Sequence, residues 1–224
     1  ILSSPLPPEL ERAIFETYDA LAQGEPLQVA LRSSALGEDA QGASFAGQYA
    51  SELNVGRESL ASAYKQVVAS KYGVTAMTFR FNRGLPDQAV DMCVGCMAMV
   101  PARAGGVIYS RNPVDSRDDG PLINAVPGLP KGVVDGRVDS DTITLSRTPH
   151  LHIDSRISGR QSIKYIPDTG EGVRREDTTP PEAEDLCIQD ETALELARIA
   201  LKLEKYYACP QDVEWAEDEE GQLF

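Results

Sequence analysis

The chain has 224 residues, 42% hydrophobic and 25% charged, enough to bury a core as one large domain or a domain and a half. Its 35 acidic and 21 basic side chains leave a net charge of -14, which argues against a basic face for a nucleic-acid backbone. No apolar run reaches the length of a membrane span, nothing resembles a signal peptide, and four cysteines are too few for a disulfide framework. The expectation is a cytoplasmic setting, with no nucleic acid and no membrane as partner. The first residue is Ile1 rather than Met, so both ends read as cut from something longer.

Taken in order, PELERAIFETYDALA (8–22) places Leu10, Ile14, Tyr18 and Leu21 at helical spacing after the Pro7–Pro8 pair. LQVALRSS (27–34) alternates as a strand and opens into a loop of small residues, ALGEDAQGASFAGQYA (35–50). ESLASAYKQVVASKYG (58–73) predicts a second amphipathic helix closed by Gly73. AVDMCVGCMAMV (89–100) and GGVIYS (105–110) predict neighbouring strands joined by a turn at 101–104. Met92, Met97 and Met99 are expected in the strand core, and Cys93 and Cys96 as buried thiols.

From 113 to 182 prolines and glycines cluster around short strands, LINAV (122–126) and TITLS (142–146), and 148–182 is expected to form an irregular peripheral lobe. His150 and His152 read as a solvated or locally hydrogen-bonded pair. Asp190 is a predicted N-cap for a helix carrying Leu196, Ile199, Ala200, Leu203 and Tyr207 on one stripe and ended before Pro210. The acidic run Glu217 to Glu220 reads as a solvated hairpin turn. Helices and strands mix without a strict βαβ period, so the predicted fold class is α+β.

Two places invite chemistry. In a strand, residues two apart share a face, so Asp212 and Glu214 project together while Val213 and Trp215 anchor the other side. Such a pair is either a polar edge in water or a holder of a hard cation, because Mg²⁺ takes one or two carboxylates plus phosphate oxygens. Arg32 stands where LRSS meets the small-residue loop. It is either a structural ion pair or a planar fork for phosphate oxygens, with the hydroxyls of Ser44 and Ser51 in the stretch that follows. Arginine fork, amide-rich loop and carboxylate pair together suggest a nucleoside triphosphate with its Mg²⁺.

The stretch VALRSSALGEDAQGASFAGQYASELNV (29–55) resembles the V-R-S-S-A-x-x-E-D…A-S-F-A-G-Q…L-N-V segment of phosphoenolpyruvate synthase and pyruvate phosphate dikinase. In the same order, MV…GGVIYSRNP (99–113), INAVPGLPKGVVDGRVDSD (123–141) and QDVEWAEDEEGQLF (211–224) are similar to further motifs of that family. The resemblance implies an ATP-grasp nucleotide-binding domain at 29–224, with 1–28 a helical remnant of an N-terminal lobe. It implies that ATP phosphorylates a histidine on a separate swivelling domain, which then converts pyruvate to phosphoenolpyruvate. It makes Arg32 the phosphate clamp and catalytic residue, Gly47 part of the loop over the phosphates, and Glu214 with Asp212 the Mg²⁺ and nucleotide ligands.

The chain also departs from the family. No G-x-K-G lysine segment precedes residue 29, and the strand that carries a further Gln and Arg would lie beyond Phe224. Met97 and Ala98 stand where a Gln and a basic residue are usual, and Pro130 and Lys131 replace the G-E of G-L-G-E. The expected function is an ATP-dependent dikinase domain of a larger protein, inactive as an isolated piece and homo-oligomeric through its parent if at all. The alternatives are a catalytically weakened nucleotide-sensing or interaction domain, or an antibiotic phosphotransferase-like relative with another acceptor.

Overall fold

The computed structural model describes residues 1–224 except 36–38, 41–42, 45–46, 87, 89, 116, 135 and 137, and describes 39–40 and 43–44 by backbone alone. The fold class is α+β, as predicted. In order the elements are α1 (Pro8–Ala22), β1 (Val29–Ala35), β2 (Asp39–Ala40), β3 (Ala43–Ser44), β4 (Ser51–Val55), α2 (Leu60–Ser70), α3 (Val74–Asn82), β5 (Met92–Ala98) and β6 (Ala104–Tyr109). There follow β7 (Leu122–Pro127), α4 (Lys131–Val134), β8 (Asp141–Ser146), β9 (His152–Ile157), β10 (Ile163–Pro167), β11 (Val173–Asp177), α5 (Pro180–Glu184), α6 (Asp190–Tyr207) and β12 (Asp212–Glu217). They divide into two compact units, Ile1–Met99 with Pro167–Val173, and Val100–Ile166 with Arg174–Phe224.

The first unit is built on an antiparallel sheet in the order β4-β1-β5. Alternation along β1 turns Val29 and Leu31 to a core shared with Tyr18, Val55, Leu60, Ala63 and Val67. The Tyr18 hydroxyl donates to the Leu27 carbonyl at 2.6 Å, which pins the entry to β1. One expectation fails here. The predicted helix over 58–73 is a 3-10 turn at Arg57–Ser59 followed by α2, and Gly73 does not close it. Gly73 has an extended backbone (φ -66, ψ 151) and opens α3, a helix that Thr and Phe content hid from the sequence.

The second unit is an all-antiparallel sheet in the order β12-β6-β7-β8-β9. One face carries Trp215, Ile108, Ile123, Ala125, Ile143 and Leu145 against Leu196, Ala197 and Ala200 of α6. β6 needs its glycines: a Cβ at Gly106 would stand 1.9 Å from the Asn124 carbonyl oxygen on β7. Asp141 is fully buried and accepts from Gly159 N, Gln161 Nε2 and Cys187 N, which anchors the chain beyond β9 and before α6. Within 148–182, β9 is the edge strand of this sheet, whereas β10 and β11 form a two-stranded ribbon.

Several local expectations need correction. β5 and β6 are not neighbours: β5 pairs with β1, and β6 lies between β12 and β7. Pro101 lacks an N–H, and the chain passes from one unit to the other between them. Being an edge strand, β5 leaves Cys93 exposed, Cys96 half-buried and Met97 51% exposed, so the buried-thiol and Met97 core readings fail. Gln189 is the N-cap of α6, and Asp190 is its first residue, ion-paired with Arg156. The turn after β12 is a hairpin, but Glu217 and Asp218 are buried in it rather than solvated. Glu217 pairs with Arg103 and accepts from the Thr192 hydroxyl, while Asp218 caps Glu220 N and Gln222 N. The two histidines are locally bonded as predicted, His152 Nδ1 to the His150 carbonyl and His152 Nε2 to Asp154.

Candidate functional site

β12 shows the parity that the sequence predicted. Val213 and Trp215 pack into the core, and Asp212 and Glu214 are both exposed on the opposite face. The register extends this face across the sheet. Glu214 lies opposite Val107, Val107 opposite Asn124, and Asn124 opposite Thr142. The next row runs Asp212, Tyr109, Leu122, Thr144. A sheet packed on one side by α6 thus carries on its other side two carboxylates, an amide and three hydroxyls.

At the Asp212 end of this face lies a cavity of about 480 Å³, bordered by Tyr109, Arg111, Asp118, Gln211 and Asp212. Its wall is braced. Glu204 of α6 accepts from Arg111 Nε at 3.2 Å and from Arg147 at 2.8 and 3.1 Å, and Arg147 also donates to the Ser110 carbonyl. The Arg147 guanidinium, ahead of the partial burial that opposes it, holds the Glu204 carboxyl at about 2. Ser110 is fully buried and its Oγ accepts from Gln211 N at 2.8 Å, tying the end of β6 to the start of β12. In the sequence, Arg111 is part of the similar stretch GGVIYSRNP but stands at none of its shared positions, so nothing there points to it.

Among the described residues no group of three or more metal-ligating side chains occurs. The Asp212–Glu214 pair nonetheless suits Mg²⁺ by its chemistry. Both donors are hard, exposed carboxylate oxygens on one face, and Mg²⁺ is held by one or two carboxylates with water and phosphate completing its shell.

In the first unit, Arg32 is exposed on the face of β1 opposite the core. Its cross-strand partners are Ser51 on β4 and Gly95 on β5, so the guanidinium and the Ser51 hydroxyl share a face beside a residue without a side chain. Gly47 is exposed in a turn at φ +71, a backbone that L side chains rarely adopt, with open space where a Cβ would stand. Ser44 lies in β3, and its side chain is outside the described residues, as is most of the loop before Gly47. The structure therefore brings together Arg32 with Ser51, and Asp212 with Glu214, in two units each described by itself.

The family described as pyruvate phosphate dikinase, AMP/ATP-binding domain, matches residues 1–224. The chain belongs to this family. Among similar proteins, the phosphoenolpyruvate synthase of Escherichia coli is 35% identical over 238 residues, covering all of this chain and 30% of the relative. That of Synechocystis is also 35% identical, over 249 residues, with the same coverage. That of Aeropyrum pernix is 32% identical over 242 residues, covering 96% of this chain and 30% of its own length. The chain thus spans about 30% of the length of these dikinase-family relatives. No helix among the described residues is long and apolar enough to cross a membrane.

Proposed function

We propose that this dikinase-family domain has the ATP-grasp fold and binds Mg²⁺-ATP. Its parent protein would pass phosphate from ATP to a histidine on a separate domain, with pyruvate as final acceptor. The observation that carries this reading is the pairing of Asp212 and Glu214, both exposed on one sheet face beside a cavity, in a chain matched throughout by an AMP/ATP-binding family. In it Arg32 clamps phosphate oxygens, Ser51 and Gly47 serve the phosphate loop with Ser44, and Asp212 and Glu214 hold the metal. Phosphoryl transfer asks little else of a protein than positioning and charge neutralisation. The names of the relatives support pyruvate as the acceptor.

A second reading, a domain with weakened catalysis, rests on Lys131. α4 begins with it, directly after Pro130, whose Cδ stands 2.7 Å from where a Cβ on Gly105 would be. Gly105 lies opposite Ala216 on the Glu214 side of the sheet, so the segment that carries Lys131 in place of the family's acid packs against this same face.

Calorimetric titration of the full-length protein with Mg²⁺-ATP tests the main reading. Arg32→Ala and Glu214→Gln are each expected to weaken binding by at least about tenfold, the loss of one charge-assisted contact. Absence of binding by the wild type removes the reading.

A further inference from the structure

We infer that Asn124 is a further binding residue of the nucleotide-metal site, its side-chain oxygen accepting a hydrogen bond from water in the Mg²⁺ shell. This inference rests on the Mg²⁺-ATP reading and deepens it.

The argument starts from a polar residue in an apolar strand. β7 reads Leu122–Pro127 with Leu122, Ile123, Ala125 and Val126 buried, and Asn124 alone in its middle is only half-buried. Parity turns Ile123 and Ala125 into the core, which puts Asn124 on the face of Asp212 and Glu214. Only Val107 separates Asn124 from Glu214 across the sheet, a span of two strand spacings, about 10 Å between backbones. Two side chains reaching up from those positions can meet a single hydrated cation.

Asn124 is also oriented. Its Nδ2 donates to Ser140 Oγ at 3.1 Å and to Thr142 Oγ1 at 3.2 Å, both at the β8 side. An amide nitrogen has two hydrogens, and both are used there. The oxygen occupies the other arm of the planar group. It is therefore not the arm that Ser140 and Thr142 hold. No donor among the described residues reaches this oxygen. A neutral acceptor locked by its neighbours cannot neutralise a cation but can orient its bound water, the usual outer-shell contribution around a metal. Asn124 falls at a position that the family motif I-x-A-x-x-G leaves open, so the motif comparison passes over it.

The test is titration calorimetry of the full-length protein with ATP, in Mg²⁺ and in excess chelator, with thermal unfolding as a check on folding. Asn124→Ala is expected to weaken Mg²⁺-ATP binding about tenfold and leave binding of metal-free ATP unchanged. Asn124→Asp keeps an oxygen at the site and is expected to bind Mg²⁺-ATP at least as tightly as the wild type. If Glu214→Gln weakens Mg²⁺-ATP binding while Asn124→Ala stays within twofold of wild type, the inference fails and the nucleotide reading stands. Equal weakening by Asn124→Ala with and without metal also overturns it. If the wild type binds no Mg²⁺-ATP, or Glu214→Gln changes nothing, the underlying reading fails first and takes the inference with it.

Discussion

Glu204 illustrates how single side chains brace the region beside Asp212. It receives two arginines and sits largely shielded, with its side chain 13% exposed. Its carboxyl is held at about 2, chiefly by Arg147, well below the ordinary carboxylate range. A depressed carboxyl pKa stabilises the folded state above the unfolded value, near 4.5, and that contribution fades as the pH falls toward 2. Glu204→Gln should therefore lower stability by about 2 kcal/mol at pH 7. Urea unfolding between pH 6 and 3 should show the gap closing below about pH 4.5; a constant gap would show that the ion pairs contribute nothing. None of this was visible in the sequence, where Glu204 lies between residues of a helix stripe. Its partners Arg111 and Arg147 are remote in the chain, and no local pattern links them. Asp212 and Glu214 were legible because strand parity is local: two apolar neighbours, Val213 and Trp215, determine which way both acids face.

Among the elements, β6 is closely constrained. It is a central strand between β12 and β7, and α4 leans over its first residues. Gly106→Ala would drive a methyl group into the backbone of Asn124, so β6 and β7 must separate. A destabilisation of at least about 2 kcal/mol is expected, read by denaturant unfolding. Gly47→Ala meets no atom and is strained only through its positive φ, which makes it the milder change. Helices α1 and α6 were legible in the sequence because fifteen or more residues of period 3.6 leave little ambiguity. α3 was missed because a short helix with β-branched and aromatic residues carries a weak signal, and Gly73 serves as its N-cap instead of a terminator. The placement of β5 and β6 failed for another reason: adjacency in sequence favours pairing, but β5 had an alternative partner in β1.

For the whole molecule, ligand binding couples to stability by mass action. In the full-length protein, Mg²⁺-ATP at about one hundred times its Kd should add about 2.7 kcal/mol, seen as a rise in Tm. Chelator should abolish most of that rise, and Glu214→Gln, binding about tenfold more weakly, should cut it to about 1.4 kcal/mol or less; an unchanged rise in both would dissociate binding from the carboxylates. The net charge of -14 makes this measurement sensitive to salt, since a polyanion approaches an acidic protein against its mean field. The sequence by itself determined the mixed fold class, the long helices, the parity that exposes Asp212 and Glu214, and the family motifs, because each is written in residues close together in the chain. Only the tertiary structure decided which strands are neighbours, that Glu217 is buried beside Arg103, and that Asn124 shares a face with Glu214. Those facts come from pairing between distant segments, where the free energy lies in contacts that no local pattern encodes.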